Sequence, residues 1–185
     1  MTPETCRAFA RYNRWMNAKV YAACALLNDE ERKRDRGAFF GSIHRTLNHI
    51  LVADRIWLSR LEGRVPEPGF IGVDGIKSLD HEIASDFEEL RRQRDVTDAA
   101  LDAWVETLTE AGLAGTVRIL RRGEQQEMPL WWIVSHVFNH QTHHRGQVTT
   151  LLLQAGEDPG ATDLFAMLHE EAQTAARGQA APSRG

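Results

Sequence analysis

The sequence has little cysteine, and its two cysteines cannot bridge each other in the structure that the pattern predicts. Cys6 and Cys24 both fall within the first predicted helix, 18 positions apart. That separation is about 27 Å along a helix, whereas a disulfide needs Cα atoms within about 7 Å of each other. We therefore expect two free packing cysteines in a reducing environment.

Long hydrophobic runs and concentrated charge are also absent. No apolar run approaches the ~18 residues of a transmembrane helix, and the first residues lack the charged-then-apolar layout of a secretory signal. We therefore expect a cytoplasmic protein with no membrane partner. The 22 basic and 26 acidic residues are mixed along the chain, for a net charge of −4. Since the sequence has no basic patch, it does not favour a nucleic-acid partner.

The composition is that of one globular domain. With 185 residues and 42% hydrophobic content, the chain can bury a full core, and neither an internal repeat nor a linker divides it. We expect a single helical domain over residues 1–176 and a disordered tail over residues 177–185.

Apolar residues recur at helical spacing in four long stretches. The predicted long helices run from Thr2-Pro3 to about Leu27, from Ser42 to about Leu61, from Ser78 to about Thr109 and from Pro129 to about Gln154. A charged connection is expected over residues 28–37, and a loop rich in glycine and proline over residues 63–75.

Two smaller elements complete the prediction. Residues 116–120 alternate and are rich in β-branched side chains, residues 122–124 resemble a turn, and residues 126–128 could return as a second strand. A short helix is expected from Asp163 to about Thr174. The fold class is therefore all-α: a four-helix bundle with a short β-hairpin before the fourth long helix and a short C-terminal helix.

The fourth long helix is rich in histidine, and its phase separates the histidines into two groups. At about 100° per residue, His140 and His144 fall in the middle of the apolar face. His136 and His143 fall at the edge of this face, and Gln147 lies beside the inward pair. Two histidines on an apolar face are costly unless their nitrogens are satisfied. Hydrogen bonds in the core or one shared metal ion could satisfy them, because desolvation favours the neutral imidazole that binds metals.

The other polar residues of the predicted core leave alternatives open. His49 lies in an apolar part of the second long helix, but its phase alone does not select it as a ligand. His44, His81 and His169 are expected to be exposed. Asp54 lies in the apolar stripe of the second long helix, where it could pair with an arginine or orient a ligand histidine.

A second apolar cluster lies on the other side of the histidine helix and comprises Trp131, Phe138 and Leu152. The hairpin, the C-terminal helix or a second copy of the chain could cover it. A homodimer is therefore one expectation, and packing within the chain is the other.

Three motifs resemble those of the DinB-like (DinB/YfiT-like) family of damage-inducible, metal-binding four-helix proteins, and together they span most of the chain. The first helix contains Tyr12-Asn13-Arg14-Trp15-Met16-Asn17, and the second contains Leu47-Asn48-His49 followed by Asp54 and Trp57. The most specific motif is His-x-x-x-His-Arg-Gly-Gln, which begins at His140.

The resemblance implies a site and an architecture. It implies a divalent metal, zinc or nickel foremost, held by His49, His140 and His144, in an up-down-down-up bundle that often forms homodimers. It also implies that a low-molecular-weight thiol could act as a cofactor. Helical phase indicates His140 and His144 independently, whereas His49 depends mainly on the resemblance.

Three histidines leave at least one coordination position of a metal open to water, a thiol or a substrate. The leading hypothesis is a metal-dependent thiol S-transferase that acts on small electrophilic substrates, with no catalytic residue identified. The alternatives are a metal-dependent hydrolase and a non-catalytic metal-binding stress-response dimer. A protease is disfavoured because no glutamate lies between His140 and His144.

Overall fold

The computed structural model describes residues 1–121 and 124–179, and it has the predicted all-α fold with one hairpin. In chain order the elements are α1 (Pro3–Leu26), α2 (Asp29–Lys33), α3 (Ile43–Leu61), α4 (Phe87–Glu106), α5 (Glu110–Ala114), β1 (Thr116–Arg121), β2 (Glu124–Pro129), α6 (Leu130–Gln154) and α7 (Leu164–Gln179). The strands pair antiparallel, with Thr116 opposite Pro129. Among the described residues, no helix is long and apolar enough to cross a membrane.

The long helices α1, α3, α4 and α6 form the bundle, and contacts along their lengths give their directions. The ring of Phe9 packs 5.7 Å from that of Phe138, and further along both helices Arg145 donates a hydrogen bond to Asn13. Helices α1 and α6 are therefore parallel. Helix α4 is antiparallel to α1, because contacts with α1 shift toward the start of α4 as α1 advances, from Arg7–Glu106 to Tyr21–Phe87.

Helix α3 completes the topology. The ring of His49 lies 4.5 Å from that of His144, whereas Trp57, two turns later on α3, contacts His136, two turns earlier on α6. Helices α3 and α6 are therefore antiparallel. With α1 taken as up, the order is up-down-down-up, as the resemblance implies.

The helices begin where short polar side chains cap them, and they pack around an apolar core. Thr2, Ser42 and Asp86 each accept a hydrogen bond from the backbone N–H three residues later, which satisfies a donor that a helix start leaves free. Val20 and Leu51 are fully buried in the larger core cluster. Each such side chain contributes about 1.5–3 kcal/mol of burial free energy.

The prediction that the third long helix begins at Ser78 is wrong, because α4 begins at Phe87. Residues 78–86 are held against α3 by side chains instead. The Asn48 side chain accepts from the backbone N–H groups of Ile83 and Ala84 at 2.8 and 3.1 Å, and it donates to the Ala84 carbonyl at 3.1 Å. These backbone groups are therefore taken by α3 rather than by a helical turn.

Smaller differences concern the connections and the tail. The charged connection contains the short helix α2, which Asn28 caps, and the third long helix ends at Glu106 before the separate turn of α5. Helix α7 continues to Gln179, past the predicted end near Thr174. Residues 122 and 123 of the predicted turn, and residues 180–185 of the predicted tail, lie outside the described residues.

A buried polar network joins the four long helices in the middle of the bundle. Arg94 of α4 contacts Asp54 of α3 at 2.5 Å and Asp98 at 2.9 Å, with all three side chains almost fully buried. Asp54 also accepts from the Gln141 side chain of α6 at 2.9 Å. The ion-pair interpretation of Asp54 is confirmed. The network also constrains how α3 and α6 face each other.

On the α1 side, the same network continues through two asparagines. Asn13 and Asn17 donate to the Asp98 carboxylate at 2.9 and 3.0 Å, and both accept from Arg145 of α6. Arg145 is 2% exposed, and its burial lowers its pKa to about 10. Arg145 therefore links α6 to α1 and does not face the histidines.

Candidate metal centre

Three histidines from two antiparallel helices meet between α3 and α6. His49 comes from α3, and His140 and His144 come from successive turns of α6. One ring nitrogen from each lies within 4.8 Å of the other two. The structure thus brings together the three residues that the sequence and the resemblance indicate, in a cluster that could bind one metal ion.

Hydrogen bonds orient two of the three rings. His49 Nδ1 lies 2.7 Å from the Leu79 carbonyl oxygen, and His144 Nδ1 lies 2.8 Å from Gln147 Oε1. Both acceptors require a proton on Nδ1, so a neutral ring has its lone pair on Nε2. The two Nε2 atoms lie 3.2 Å apart. Two lone pairs directed at one another are unfavourable alone and suit a shared cation, so the donor set fits a metal.

The electrostatics of the cluster keep the rings neutral. Burial, followed by the neighbouring histidines, lowers the pKa of His140 to about 3. Burial also lowers the pKa values of His49 and His144 below the ordinary value for histidine, against the opposing effects of their hydrogen bonds. Neutral imidazole is the form that ligates metals, so the cluster is ready for a cation near neutral pH.

Sequence reasoning missed two groups that shape the site. Phe40, in the turn before α3, stacks on the His49 ring with centroids 3.8 Å apart, and its edge faces His144. The Leu79 carbonyl belongs to the segment that was wrongly predicted as helix. Neither group carries a periodic signal, because both lie in irregular segments whose contacts are set by tertiary structure.

The remaining histidines and their polar neighbours have varied environments. Gln147 is a hydrogen-bond partner of His144 at the edge of the site, and its amide nitrogen lies 3.4 Å from His143 Nε2. The ring centroids of His136 and His140 are 5.7 Å apart, and His136 also contacts Trp57.

The expectation that His44 is exposed is wrong. Its ring is fully buried and donates to the Ala84 carbonyl at 2.9 Å.

A cavity of about 640 Å³ lies beside the cluster, between α3, α6, the hairpin and the loop after α3. His49 and His140 line it, so a molecule in the cavity can reach the histidine cluster. Most of its wall is apolar or aromatic and includes Trp57, Phe70 and Trp132. A volume of this size is typical of small-molecule sites.

The fold and the site together define the class: four-helix-bundle proteins with an interior three-histidine cluster beside a cavity. A model of the DinB family matches residues 1–178. The chain therefore belongs to the DinB family.

Two relatives illustrate this membership. The chain is 25% identical over 169 residues to Protein DinB of Bacillus subtilis (strain 168), with 82% of this chain and 87% of that protein covered. Its structure is similar to the crystal structure of a DinB-like protein from Bacillus cereus ATCC 10987. The TM-score is 0.59 at 21% identity, with 83% of this chain and 94% of that chain covered. At this identity the structural likeness shows the fold alone.

Proposed function

We propose that the chain is a divalent-metal-dependent thiol S-transferase whose metal ligands are His49, His140 and His144. The single observation that carries the proposal is the arrangement of two oriented Nε2 atoms, 3.2 Å apart, beside a third histidine that lines a cavity. A bound divalent ion, zinc or nickel foremost, would supply Lewis acidity that favours ionisation of a thiol or of water at an open position.

The residues of the chain position the reactants and exclude water. The Leu79 carbonyl and Gln147 hold two imidazoles in place, while Phe40 covers the His49 ring on one side. The apolar cavity would hold a small electrophile. In the transfer, the thiol sulfur bonds to an electrophilic carbon, the leaving group departs with its bonding electron pair, and the thiol proton goes to solvent.

The metal site is tested first by elemental analysis and by zinc titration against a competing chelator. About one divalent ion per chain is expected, and His49→Ala and His140→Ala should each lose most of the affinity because a ligand is missing. His169→Ala is the matched control, since His169 is exposed on α7. Parent-like metal affinity in both ligand variants would refute the assignment.

Turnover is tested separately, by mixing metal-loaded protein with glutathione, bacillithiol or mycothiol and a chloro-aromatic electrophile. Conjugate formation that requires the metal and is lost in His140→Ala would support the transferase. A protein that binds metal but forms no conjugate with any of the three thiols would refute it. The hydrolase and the non-catalytic metal-binding protein would then be the remaining functions, and ester hydrolysis would distinguish them.

The homodimer stays a prediction. Two members of the apolar cluster that suggested it, Phe138 and Leu152, are buried within the chain, and Phe138 packs on Phe9 of α1. Trp131 is 46% exposed. Sedimentation over a wide concentration range tests the dimer, and a constant monomer mass would exclude it.

A further inference from the structure

The cavity beside the histidine cluster has two ends, which the positions of its tryptophans define. On α3, Trp57 lies eight positions after His49, and on α6 Trp132 lies eight positions before His140. All four side chains line the cavity. Because α3 and α6 are antiparallel, both tryptophans are displaced from the histidines in the same direction. Eight residues span about 12 Å along a helix, so the cavity has a histidine end and an aromatic end about that far apart.

The wall between the two ends is apolar and leaves room for a ligand. On α3, Ala53 lies one turn after His49 and one turn before Trp57, and it lines the cavity with a single methyl group. Among the described residues that line the cavity, none is acidic, and Arg60 is the only one with a permanent charge. Arg60 lies beyond Trp57 on α3, and its guanidinium lies over the Trp57 ring, 5.0 Å from the centroid. Along α3, the stretch from His49 to Trp57 therefore adds no permanent charge to the wall.

Large apolar side chains on the cavity wall are exposed rather than packed in the core. Trp132 is 49% exposed, Leu79 is 54% exposed and Ile71 is 37% exposed. Phe70 also lines the cavity and is half-buried. Apolar surface of this kind, collected in one concave site, is typical of a binding site, because a ligand that covers it removes the surface from water.

The loop after α3, which supplies part of this wall, is held in place by its own contacts. The backbone N–H groups of Ile71 and Gly72 donate to the Ile76 carbonyl at 2.9 and 3.3 Å. The Ile76 side chain is 1% exposed and packs with Val52 and Ile56 of α3. The wall is therefore preformed, which lowers the conformational cost of binding a rigid ligand.

We propose that the cavity binds a small molecule with an uncharged, extended aromatic body, which lies against Trp57 and Trp132 at one end and reaches the histidine cluster past Ala53 at the other. Aromatic rings attract one another beyond the effect of the area that they bury. A charge on the same body would lose its hydration against apolar side chains. The assignment of the reacting, electrophilic carbon to the histidine end rests on the proposed function. Binding of the aromatic body does not.

The probe is N-phenyl-1-naphthylamine, an uncharged aromatic dye whose fluorescence rises in apolar surroundings, titrated into zinc-loaded and into chelator-treated protein. One site per chain with a micromolar dissociation constant is expected. Binding should persist without metal, since the apolar wall provides it. The analogue 8-anilino-1-naphthalenesulfonate has the same rings and a negative charge. It should bind about tenfold or more weakly, because its sulfonate loses hydration in the cavity.

Two neighbouring tryptophans provide a matched pair of variants. Trp132→Ala should weaken dye binding about tenfold, since it removes one side of the aromatic end, and Trp132→Phe should retain most of the affinity. Trp131→Ala is the control and should bind the dye as the parent does. Trp131 is 46% exposed, close to the 49% of Trp132, but it lines a separate cleft with Met1 and Leu113. Thermal melts check that each variant is folded, and zinc affinity should be unchanged in all three.

Each of four results would overturn the proposal. Failure of the dye to saturate a site in the parent protein would remove the aromatic site. Equal dye affinities in Trp131→Ala and Trp132→Ala would place the dye elsewhere on the protein. Equal or tighter binding of the sulfonate would show that the cavity does not select an uncharged body. Loss of dye binding on metal removal would place the rings at the histidine end. Because binding is measured without turnover, failure of the transferase assay leaves these results unaffected.

Discussion

Replacing Arg94 by methionine should strongly destabilise the fold, because it leaves two carboxylates buried without their cation. Arg94 contacts Asp54 at 2.5 Å and Asp98 at 2.9 Å, and its side chain is 2% exposed. Removing one partner of such a buried network costs about 3–5 kcal/mol of unfolding free energy. Methionine fills much of the space left by the arginine stem, so the loss is chiefly electrostatic.

The two carboxylates differ in the hydrogen bonds that remain to them in Arg94→Met. Asp98 still accepts from Asn13 and Asn17 at 2.9 and 3.0 Å, whereas Asp54 keeps the Gln141 amide at 2.9 Å. Asp54 should therefore account for most of the loss. Adding Asp54→Asn to Arg94→Met should restore part of the stability, so that the double variant is more stable than the single variant at neutral pH.

The loss of stability in Arg94→Met should depend on pH, and the titration of Asp54 sets the direction of that dependence. Burial already raises the pKa of Asp54 in the folded protein, and Arg94 is the main group that opposes this shift. Without Arg94 the folded-state pKa rises further above the unfolded value. The protonated carboxyl then favours folding below the unfolded pKa of about 3.9, and this contribution is lost as pH rises through the folded pKa. Arg94→Met should therefore be least destabilised in acid.

Urea denaturation followed by circular dichroism, between about pH 5 and pH 8, measures both effects. The matched control is Arg92→Met, two residues away on α4, where an exposed arginine pairs with Glu89. An exposed pair of this kind contributes about 0.2–1 kcal/mol. If Arg94→Met lost no more stability than Arg92→Met at neutral pH, the buried network would not stabilise the bundle as argued.

Three further predictions concern the site and its wall. Gln147→Leu should weaken zinc binding about 10–100-fold by removing the acceptor on His144 Nδ1, while Gln147→Glu should retain it; chelator competition measures both. The pKa of His140 is about 3, and the pKa values of His49 and His144 are also lowered. Zinc affinity, measured from about pH 7.5 to pH 5, should therefore decrease only well below the ordinary histidine pKa of about 6.5. A decrease in zinc affinity centred at about pH 6.5 would contradict the lowered pKa values. Gly72→Ala should loosen the loop over the cavity, since a Cβ there would lie 2.7 Å from Ile56 Cγ1. A cost of about 1–3 kcal/mol should appear as faster proteolysis within residues 63–76, and unchanged proteolysis would refute the close packing.

What the sequence predicted correctly follows from helical periodicity. The four long helices repeat apolar residues at a regular interval, and the same helical phase places His140 and His144 in the middle of the apolar face of α6, with His136 and His143 at its edge. A regular helix relates each side chain to its neighbours by a fixed rotation, so facing can be inferred without knowing what lies opposite. His49 needed the resemblance, because α3 is buried on most of its faces and phase therefore selects nothing there.

The segments that could not be predicted are those whose backbone groups bind side chains distant in sequence. Residues 78–86 contain polar residues compatible with a helix start, yet Asn48 takes the backbone groups of Ile83 and Ala84. The same irregular path brings the Leu79 carbonyl to His49. Such long-range capture overrides local propensity. The wrong start predicted for the third long helix and the failure to predict the hydrogen bond between His49 and the Leu79 carbonyl therefore have one cause.

The most specific motif of the chain contains two interleaved pairs of residues on α6, His140 with His144 and Gln141 with Arg145. His140 and His144 face the cavity side, and the residues that follow each of them, Gln141 and Arg145, are 0% and 2% exposed inside the bundle. Gln141 binds Asp54 of α3, and Arg145 binds the asparagines of α1. The same two turns of helix therefore present ligand nitrogens and anchor α6 to both neighbours. Arg145 does not face the histidines but holds α6 against α1, while the Gln141–Asp54 hydrogen bond helps to fix the register in which the histidines of α6 meet His49.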